Sequence, residues 1–555
     1  MKLGRIFQNG MILQREKPFR IWGEAEQEQT ITVSLNGEII AEETVVKGAI
    51  SILIPPQKAQ TDAVLQIGDQ TFTGVDIGEV WIAGGQSNME FPLKYDCDGE
   101  KEIARADDPH FRFYQVGQYA FLGEREEQFK DDAAFDKWLP YEPKHASGFS
   151  AVAVYFAKEL RKLGVPVGII GCYWGGTSAA AWTDREALLE DADLRQYVDE
   201  YEAGLKELDL DLYEAITKSR RWSTAKLDRE GKNPISILLE KTMKPQELAE
   251  FMGTLMSGKL PDEKEQEFAG MPKLPQGVSQ EDFIRISMAV GPKSEARPSG
   301  LYESMLLEIV PYTVKGVIWY QGEADCPKAD IYEKLFTCMI TCWRELWQEE
   351  LPFLLVQLPT FGAWMAESGE GFVQIREAQE KVTQSVPSAY MASISDVGNV
   401  YDMHPKEKRE VGKRLAFLAK KHMYGEAVEA DAPEYDSLER DGAKLTLRFR
   451  HGDGLWIKEK DFSFYNGFDM KEIPGNLLPP ILGGVNGLRI LADGEEVKDA
   501  ICMTKENCLI VKNEILENAM EIHVEFAKTG FYEVNLYNDT GVPAKPFIAE
   551  WNDNA

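Results

Sequence analysis

Short apolar runs alternate with amphipathic helical stretches from about residue 76 to residue 422 of this chain. The apolar runs lack polar alternation, which is typical of strands that are buried on both faces of a sheet. A strand–helix alternation of this kind predicts an α/β fold, with a parallel sheet covered by helices on both faces. The predicted strands are 80–83, 167–170, 316–319, 353–357 and 389–395, and the predicted helices are 152–163, 331–347, 372–384 and 406–422.

Both ends of the chain have a different pattern. Residues up to about 75 read as short strands joined by frequent turns, such as the alternating run at 31–35 before the hairpin signal Asn36-Gly37. Short strands return after about residue 430, and their density favours a β-sandwich. The predicted domains are an all-β domain at 1–75, an α/β domain at 76–428 and a C-terminal β-sandwich at 429–555.

A charged, helix-prone stretch at about 185–295 interrupts the strand–helix alternation. It shows little strand pattern, and its best helical segments lie at 193–208 and 245–256. We predict that it is an insertion into the α/β domain. Such an insertion can form one wall of a cleft or can be an inert surface addition, and the sequence leaves both interpretations open.

The charge of the chain argues against two classes of partner. The sequence has 61 Lys and Arg residues against 92 Asp and Glu residues, which gives a net charge of −31. A surface this negative repels phosphate backbones and anionic membranes, so we predict neither a nucleic-acid partner nor a membrane partner. Homo-oligomer formation is compatible with the sequence.

The cysteines and the N-terminus bear on the compartment. The seven cysteines are scattered, with no Cys-x-x-Cys pair and no zinc-ligand cluster, so we predict free thiols and no metal. The N-terminus lacks the apolar stretch of a signal peptide, and no apolar run reaches the ~18 residues of a membrane span. We therefore expect a cytoplasmic protein.

A serine follows the first buried strand of the α/β region. Residues 84–90 read Gly-Gly-Gln-Ser-Asn-Met-Glu, directly after the strand at 80–83. The small residues allow a sharp turn, and Ser87 then stands at a helix N-terminus beside free N–H groups, as a hydrolase nucleophile does. Met89 replaces the last glycine of the Gly-x-Ser-x-Gly elbow. The alternative interpretation is a strand-to-helix turn that is capped by serine.

A serine nucleophile needs a base, and the chain offers six histidines. His404 lies between the last strand and the last helix of the α/β region, so it emerges at the same edge of the sheet as Ser87. Pro405 begins the helix and leaves His404 on the loop, while Asp402 is placed to orient and stabilise a charged imidazole. His145 is the rival base on this edge. The alternative interpretation of this loop is a capped helix start.

Two further loops follow strands at this edge. Adjacent Gly175 and Gly176 permit a turn whose N–H groups point into a cavity, where they can meet an oxyanion together with the Ser87 N–H. Gln321 offers a side-chain amide for the same purpose. Each loop alone has an ordinary explanation, as a glycine turn or as part of an aromatic core. Their convergence on one edge predicts an active site.

Four motifs resemble the sialate O-acetylesterase family within the SGNH hydrolases. They are Gly-Gln-Ser-Asn-Met at 85–89, Trp-Gly-Gly-Thr at 174–177, Trp-Tyr-Gln-Gly-Glu at 319–323 and Asp-x-His-Pro at 402–405. Segments 9–15 and 536–547 are similar to the family's terminal β-domains, so the resemblance covers nearly the whole chain. It implies a three-layer parallel-sheet (flavodoxin-like) SGNH domain with flanking all-β domains of the sandwich or jelly-roll type.

The resemblance also implies roles for residues. It makes Ser87 the nucleophile and His404 the base, and it places Gln321 where other SGNH enzymes carry an asparagine. Those enzymes have their acid three residues before the histidine, where this chain has Tyr401. Asp402 is therefore the expected third member, with Asp396 or a backbone carbonyl as alternatives. The expected oxyanion donors are Ser87, Gly175 or Gly176, and Gln321. The expected substrate contacts are Gln86, Trp174, Glu323 and Asp325, of which the two carboxylates could instead brace loops.

We predict a carbohydrate O-acetylesterase that removes acetyl groups from oligosaccharides without a cofactor. The net charge of −31 and the missing signal peptide favour neutral manno- or xylo-oligosaccharides from hemicellulose, imported into a bacterial cell. Sialate 9-O-acetylesterase activity is the alternative. A non-catalytic carbohydrate-binding protein is the alternative from another class, because both flanking domains read as β-domains. A lipase or thioesterase is the remaining enzymatic rival.

Overall fold

The computed structural model describes most of the 555-residue chain. The described residues are 1–125, 136–217, 274, 276–361, 370–398, 402–459, 464–465, 468–469, 480–528 and 533–552. The predicted helix at 245–256 and the residue Tyr401 lie outside these residues.

A sheet of mostly parallel strands forms the centre of the α/β region. Its described strands run in the order β10-β9-β11-β8-β12-β13-β14, parallel to one another except for β10, which pairs antiparallel with β9 at one edge. The bounds are β8 Gln70–Gly85, β9 Asp108–Gln115, β10 Trp138–Tyr141, β11 Val167–Tyr173, β12 Gly316–Tyr320, β13 Phe353–Val356 and β14 Ala389–Ala392. All five strands predicted from apolar runs are present in this sheet.

Helices connect the strands, and the predicted helices that fall on the described residues are present within a few residues of their expected bounds. The described helices are α1 Ser87–Glu90, α2 Gly99–Ala104, α3 Pro143–Ala146, α4 Ala151–Arg161, α5 Arg185–Glu190, α6 Arg195–Glu207, α7 Gln280–Ser287, α8 Gly300–Ser304, α9 Tyr332–Trp347, α10 Glu370–Ser385 and α11 Lys408–Tyr424. None of them combines the length and the apolar composition that crossing a bilayer requires.

Two buried tryptophans show that helices cover both faces of the sheet. Trp81 of β8 packs edge-on against Phe156 of α4, with ring centroids 5.1 Å apart. Trp319 of β12 packs against Phe336 and Trp343 of α9 at 6.0 and 5.7 Å. Trp319 pairs in register with Gly84, three residues after Trp81, and successive strand residues point to opposite faces. The two tryptophans therefore lie on opposite faces, in an α/β arrangement.

Strand β8 belongs both to the N-terminal β-region and to the central sheet. Its first part pairs with β7 and, from Asp76 to Gly78, with β2. Its second part pairs with β11 and β12. One hydrophobic core cluster contains apolar residues from both regions, with Ile6 as its first member and Ala430 as its last. The predicted boundary between residues 75 and 76 thus falls inside a continuous strand. The N-terminal strands are β1 Lys2–Leu3, β2 Ile12–Gln14, β3 Phe19–Ala25, β4 Gln29–Leu35, β5 Glu38–Val45, β6 Gly48–Ile54 and β7 Gln60–Ile67.

The C-terminal region is built from strands and has a hydrophobic core of its own. Two four-stranded sheets, β15-β16-β25-β24 and β23-β22-β26-β28, meet through aromatic contacts, such as Tyr435 stacked on Phe547 at 4.9 Å. The strands are β15 Glu434–Asp441, β16 Lys444–Arg450, β17 Trp456–Ile457, β18 Phe464–Tyr465, β19 Phe468–Asp469, β20 Ile481–Leu482, β21 Val485–Asn486, β22 Leu488–Ala492, β23 Glu495–Glu496, β24 Ile501–Lys505, β25 Cys508–Lys512, β26 Glu521–Phe526, β27 Leu536–Tyr537 and β28 Phe547–Asn552. The chain therefore combines an α/β domain with all-β sheets.

Candidate active site

Ser87 lies where the adjacent strands β8 and β12 end. The Gln86 N–H donates to the Tyr320 carbonyl at 3.0 Å, and α1 begins at the next residue. Gly85 has a φ of +132°, and a Cβ there would lie 2.1 Å from the Tyr320 oxygen, so this sharp turn requires glycine. Ser87 consequently occupies the first turn of a helix, where backbone N–H groups have no helical acceptor.

His404 contacts Ser87 directly. Its Nε2 lies 2.9 Å from the Ser87 Oγ, within hydrogen-bond distance, and its side chain is buried on the loop between β14 and α11. The rival His145 lies in α3 and contacts residues close to it in sequence instead, with Nδ1 3.1 Å from Glu142 and 3.3 Å from the Pro140 carbonyl. The structure therefore brings together the predicted nucleophile and the predicted base.

Asp402 lies beside the His404 ring. Its Oδ1 accepts the His404 backbone N–H at 2.8 Å and lies 3.5 Å from the His404 Nδ1. Burial raises the pKa of this carboxyl group, but the hydrogen bonds and charge of His404 outweigh burial and hold the pKa below its ordinary value. An ionised Asp402 is thus positioned to favour a charged imidazole.

Asp396, one alternative to Asp402, has other partners. Arg414 binds it with both guanidinium nitrogens, at 2.6 and 2.7 Å, and the Tyr537 hydroxyl donates to it at 3.2 Å. This contact joins the last strand–helix loop of the α/β domain to the C-terminal region. Asp396 is therefore engaged in a buried structural ion pair.

The 174–177 turn packs directly against the nucleophile. The Trp174 N–H donates to the Gly85 carbonyl at 3.1 Å, and a Cβ built on Gly175 would lie 3.3 Å from the Ser87 Cβ. The Gly175 N–H, an expected oxyanion donor, donates here to Glu90 Oε2 at 2.6 Å. Sequence reasoning missed Glu90, although it closes the Gly-Gly-Gln-Ser-Asn-Met-Glu motif. Gly176 is exposed, and Trp174 is partly exposed, so both remain open to a substrate.

Gln321 differs from its expected role. Its side chain is fully buried, and its Nε2 donates to Asp325 Oδ2 and, at 3.3 Å, to the Thr177 carbonyl. Its Oε1 accepts from the Tyr332 hydroxyl at 3.0 Å. A buried carboxylate must receive donors, and Asp325 takes the amide that was expected to face the oxyanion. In this structure Gln321 braces the 174–177 turn.

Asp325 and Gln86 also brace loops rather than face a sugar. Asp325 accepts from the Ser178 hydroxyl and from the Ala179 N–H at 2.9 Å, while burial raises its pKa against the opposing effect of these bonds. Gln86 is buried, and its Oε1 accepts from the Ala324 N–H at 3.1 Å. For these side chains the structure favours the bracing interpretation over sugar binding.

Glu323 belongs to a buried polar cluster that sequence reasoning missed. Asn88 donates through Nδ2 to Glu323 Oε1 at 2.5 Å and to the Met403 carbonyl at 2.8 Å, and Lys408 Nζ donates to Asn88 Oδ1. Burial lowers the pKa of Lys408 to about 7 and raises the pKa of Glu323 above its ordinary value. Two features of the sequence could have indicated this cluster. The polar residue Asn88 directly follows Ser87, and Lys408 lies shortly after His404 and Pro405.

One group of side chains within the described residues has the spacing of a metal site. Ligand atoms of Glu429, Asp431 and His451 lie within 4.8 Å of one another. Lys421 Nζ lies 2.5 Å from a carboxylate oxygen of both Glu429 and Asp431, so a protein cation already neutralises these oxygens. We assign no metal to this group.

The chain is similar to known carbohydrate esterases. The family described as carbohydrate esterase, sialic acid-specific acetylesterase matches residues 286–421, a range that includes β12, β14 and His404. Sialate O-acetylesterase of Rattus norvegicus is 26% identical over 464 residues, which cover 75% of this chain and 72% of that protein. Its Homo sapiens counterpart is 23% identical over 504 residues, which cover 82% and 77%.

A solved structure shares the overall architecture. The crystal structure of a carbohydrate acetylesterase from Xanthomonas citri superposes with a TM-score of 0.63, at 26% identity and with 99% of each chain covered. The family match, the curated relatives and this neighbour together show that the chain is a carboxylic ester hydrolase that is similar to sialate O-acetylesterases.

Proposed function

We propose that this hydrolase is a carbohydrate O-acetylesterase in which Ser87 is the nucleophile and His404 is its general base. The observation that carries the proposal is the 2.9 Å contact between His404 Nε2 and Ser87 Oγ at the carboxyl edge of the sheet. Such a pair is the minimum that an acyl-enzyme mechanism requires.

The proposed reaction has two steps. His404 Nε2 takes the Ser87 proton as Oγ attacks the acetyl carbonyl, and Asp402 stabilises the resulting imidazolium. The tetrahedral intermediate collapses when His404 gives its proton to the departing sugar oxygen, which leaves acetyl-Ser87. A water molecule, deprotonated by His404, then attacks the acetyl group, and His404 returns this proton to Ser87 Oγ as acetate leaves and free Ser87 is restored.

The hydrogen bonds of Gly175 and Gln321 change the set of donors that we propose for the oxyanion hole. The Ser87 N–H in the first turn of α1 is one donor, and the Gly175 or Gly176 N–H is the second. Because an N–H donates one strong bond, Glu90 must release the Gly175 N–H before an oxyanion can use it. Gln321 contributes indirectly, through its bond to the Thr177 carbonyl.

We further propose that the α/β domain is of the SGNH, flavodoxin-like type. In support, the serine, the glycine turn and the glutamine follow the adjacent strands β8, β11 and β12, and the histidine precedes the last helix. The domain bounds 1–75, 76–428 and 429–555, the cytoplasmic location and the homo-oligomer remain predictions.

For the substrate we favour acetylated manno- or xylo-oligosaccharides. The net charge of −31 disfavours an anionic sugar, and carboxylates of Glu90 and Asp402 lie close to the Ser87–His404 pair. The curated relatives named sialate O-acetylesterase favour the alternative, a 9-O-acetylated sialate. The contact between Ser87 and His404 argues against a purely carbohydrate-binding protein.

Acetate release from matched concentrations of acetylated mannan, acetylated xylan and 9-O-acetylated sialic acid tests the proposal. We expect faster release from the neutral glycans. A preference for the sialate would reverse our order of substrates, and activity that rises with acyl-chain length would indicate a lipase or thioesterase. Absence of hydrolysis on every acetyl ester would favour the carbohydrate-binding alternative.

A further inference from the structure

Asn88 connects the backbone beside the nucleophile to the backbone beside the base. It directly follows Ser87 on α1, and its Nδ2 donates at 2.8 Å to the carbonyl of Met403, which directly precedes His404. The side chain of Asn88 is fully buried. One amide thus spans the two segments whose spacing determines the Ser87–His404 contact.

We propose that Asn88 is a positioning residue that fixes Ser87 against His404, and that Lys408 and Glu323 hold its amide in the orientation that this requires. This inference rests on the proposed roles of Ser87 and His404.

The chemistry of the partners allows one orientation of the amide. The Lys408 ammonium has donors only, so it must meet the Asn88 Oδ1, and the Met403 carbonyl accepts only, so it must meet the Nδ2. Glu323 takes the second hydrogen of the Nδ2 at 2.5 Å. Three separate segments, α1, the loop after β12 and the start of α11, are therefore tied together at this amide.

Lys408 is unusual for a lysine because no part of it reaches solvent. It is fully buried, and its ammonium lies 4.7 Å from the ring centre of Phe91 and 5.2 Å from that of Tyr320. A long polar side chain is buried in this way only when it has partners, and Asn88 supplies one of them. Lys408 therefore lies in the interior, beside the active site, and not at the surface.

Charges at both ends of the amide lie close to the catalytic pair. The negative charges of Glu323, Asp402 and Asp96 favour the protonated form of Lys408. The positive charges of His404 and Lys408 in turn favour the ionised form of Glu323. Asp96 also accepts the Lys408 backbone N–H at 2.9 Å. Since burial lowers the pKa of Lys408 to about 7, the charge of this cluster changes within the neutral range. A change at Lys408 or Glu323 should therefore alter the pH dependence of catalysis.

The first test replaces Asn88 and measures the reactivity of Ser87. We expect Asn88→Ala to lower kcat on p-nitrophenyl acetate by about 10–10²-fold with little change in KM, because a small misplacement of a reacting group costs rate and not binding. The rate at which a fluorophosphonate probe labels Ser87 should fall in parallel. Asn88→Asp should be equally impaired, since it loses both donors and places a carboxylate against Glu323.

Asn535→Ala is the matched control. Asn535 is as deeply buried, and its Nδ2 also donates to two backbone carbonyls, at 3.0 and 2.9 Å, but it lies in the C-terminal region. We expect it to lower the melting temperature and to leave kcat and probe labelling unchanged. Folded Asn88→Ala with wild-type kcat and labelling would overturn the positioning role.

The second test uses the pH profile of kcat/KM, which a purely structural role would not shift. Glu323→Gln removes a negative charge that favours protonated His404, so the acidic limb should move to lower pH. Lys408→Met removes a positive charge that opposes protonation, so the limb should move to higher pH. Profiles that do not move, or that move in the same direction, would contradict the role of the two charges.

Ser87→Ala separates failure of this inference from failure of the proposed function. If Ser87→Ala retains full esterase activity, the nucleophile assignment is wrong and the inference about Asn88 is wrong with it. If Ser87→Ala is inactive while Asn88→Ala is unimpaired, the nucleophile stands and only the positioning role of Asn88 is wrong.

Discussion

His404 Nε2 lies 2.9 Å from Ser87 Oγ, although 317 positions separate the two residues in the chain. The parallel sheet produces this contact because β8 and β14 end at the same edge, where Ser87 and the loop of His404 follow them. The 174–177 turn and Asp402 complete the surroundings of the pair.

Gly175→Ala should impair catalysis without unfolding the protein. The new Cβ would lie 3.3 Å from both the Ser87 Cβ and Glu90 Oε2, which is closer than ordinary van der Waals contact. We expect kcat/KM to fall roughly 10-fold through displacement of Ser87. Gly204→Ala is the control, because nothing lies within 4 Å of that Cβ in α6, and it should stabilise by about 0.5–1 kcal/mol at full activity. Wild-type kinetics for Gly175→Ala would show that the turn tolerates the displacement.

Asp402→Asn should lower kcat, and Asp396→Asn should not. Asp402 Oδ1 lies 3.5 Å from His404 Nδ1, at the long limit of a hydrogen bond, so we expect a loss of roughly 10²-fold, less than the about 10⁴-fold loss seen in tightly bonded triads. Asp396 is bound by Arg414, and its amide variant should keep kcat within a few-fold. Kinetics of both variants on p-nitrophenyl acetate provide the comparison. The opposite order would identify Asp396 as the partner of His404.

Arg414→Met should destabilise the protein strongly. Arg414 and Asp396 form a buried, two-pronged ion pair, and removing the cation leaves the carboxylate with the Tyr537 hydroxyl as its remaining partner among the described residues. Breaking such a pair costs about 3–5 kcal/mol. Arg409→Met removes a half-exposed arginine and should cost about 0.2–1 kcal/mol. Urea unfolding followed by tryptophan fluorescence measures both losses, and equal losses would contradict the prediction.

Asp431→Asn should make the protein less sensitive to acid. Burial raises the pKa of Asp431, but the bonds and charges of His422 and Lys421 outweigh burial and hold the pKa well below its ordinary value. A carboxyl group with a lowered folded pKa stabilises the fold above its unfolded pKa of about 3.9, and this stabilisation is lost as the pH falls further. Melting temperatures between pH 5 and pH 2 should therefore decline less steeply in the variant. Asp199→Asn, on the exposed face of α6, serves as the control. Parallel curves for Asp431→Asn and the wild type would refute the prediction.

The sequence predicted the strands and helices of the α/β domain because their signals are local. Apolar runs and helical periodicity recur within a few residues, so bounds such as 353–357 and Phe353–Val356 nearly coincide. The choice of His404 among six histidines followed from topology, since residues after parallel strands share one edge. The boundary at 75 and 76 fell inside β8 because one half of that strand alternates and the other half is buried, and the two halves read as separate elements.

The hydrogen-bond partners of the site residues could not be predicted from the sequence in the same way. Whether Gln321 faces an oxyanion or Asp325 depends on distances of an ångström or two between separate loops. The capture of the Gly175 N–H by Glu90 likewise depends on the rotamer of one side chain on a four-residue helix. Tertiary packing determines these hydrogen-bond partners, and the spacing of motifs in the sequence contains no information about them.

The most direct test of the central claim is the rate of acetate release by Ser87→Ala, measured beside the wild type on the same acetylated glycan. Loss of the hydroxyl should reduce kcat by more than about 10³-fold, because the proposed mechanism forms the acetyl intermediate on this oxygen. A melting temperature equal to that of the wild type would show that the loss is chemical. Acetate release by folded Ser87→Ala at the wild-type rate would contradict the account.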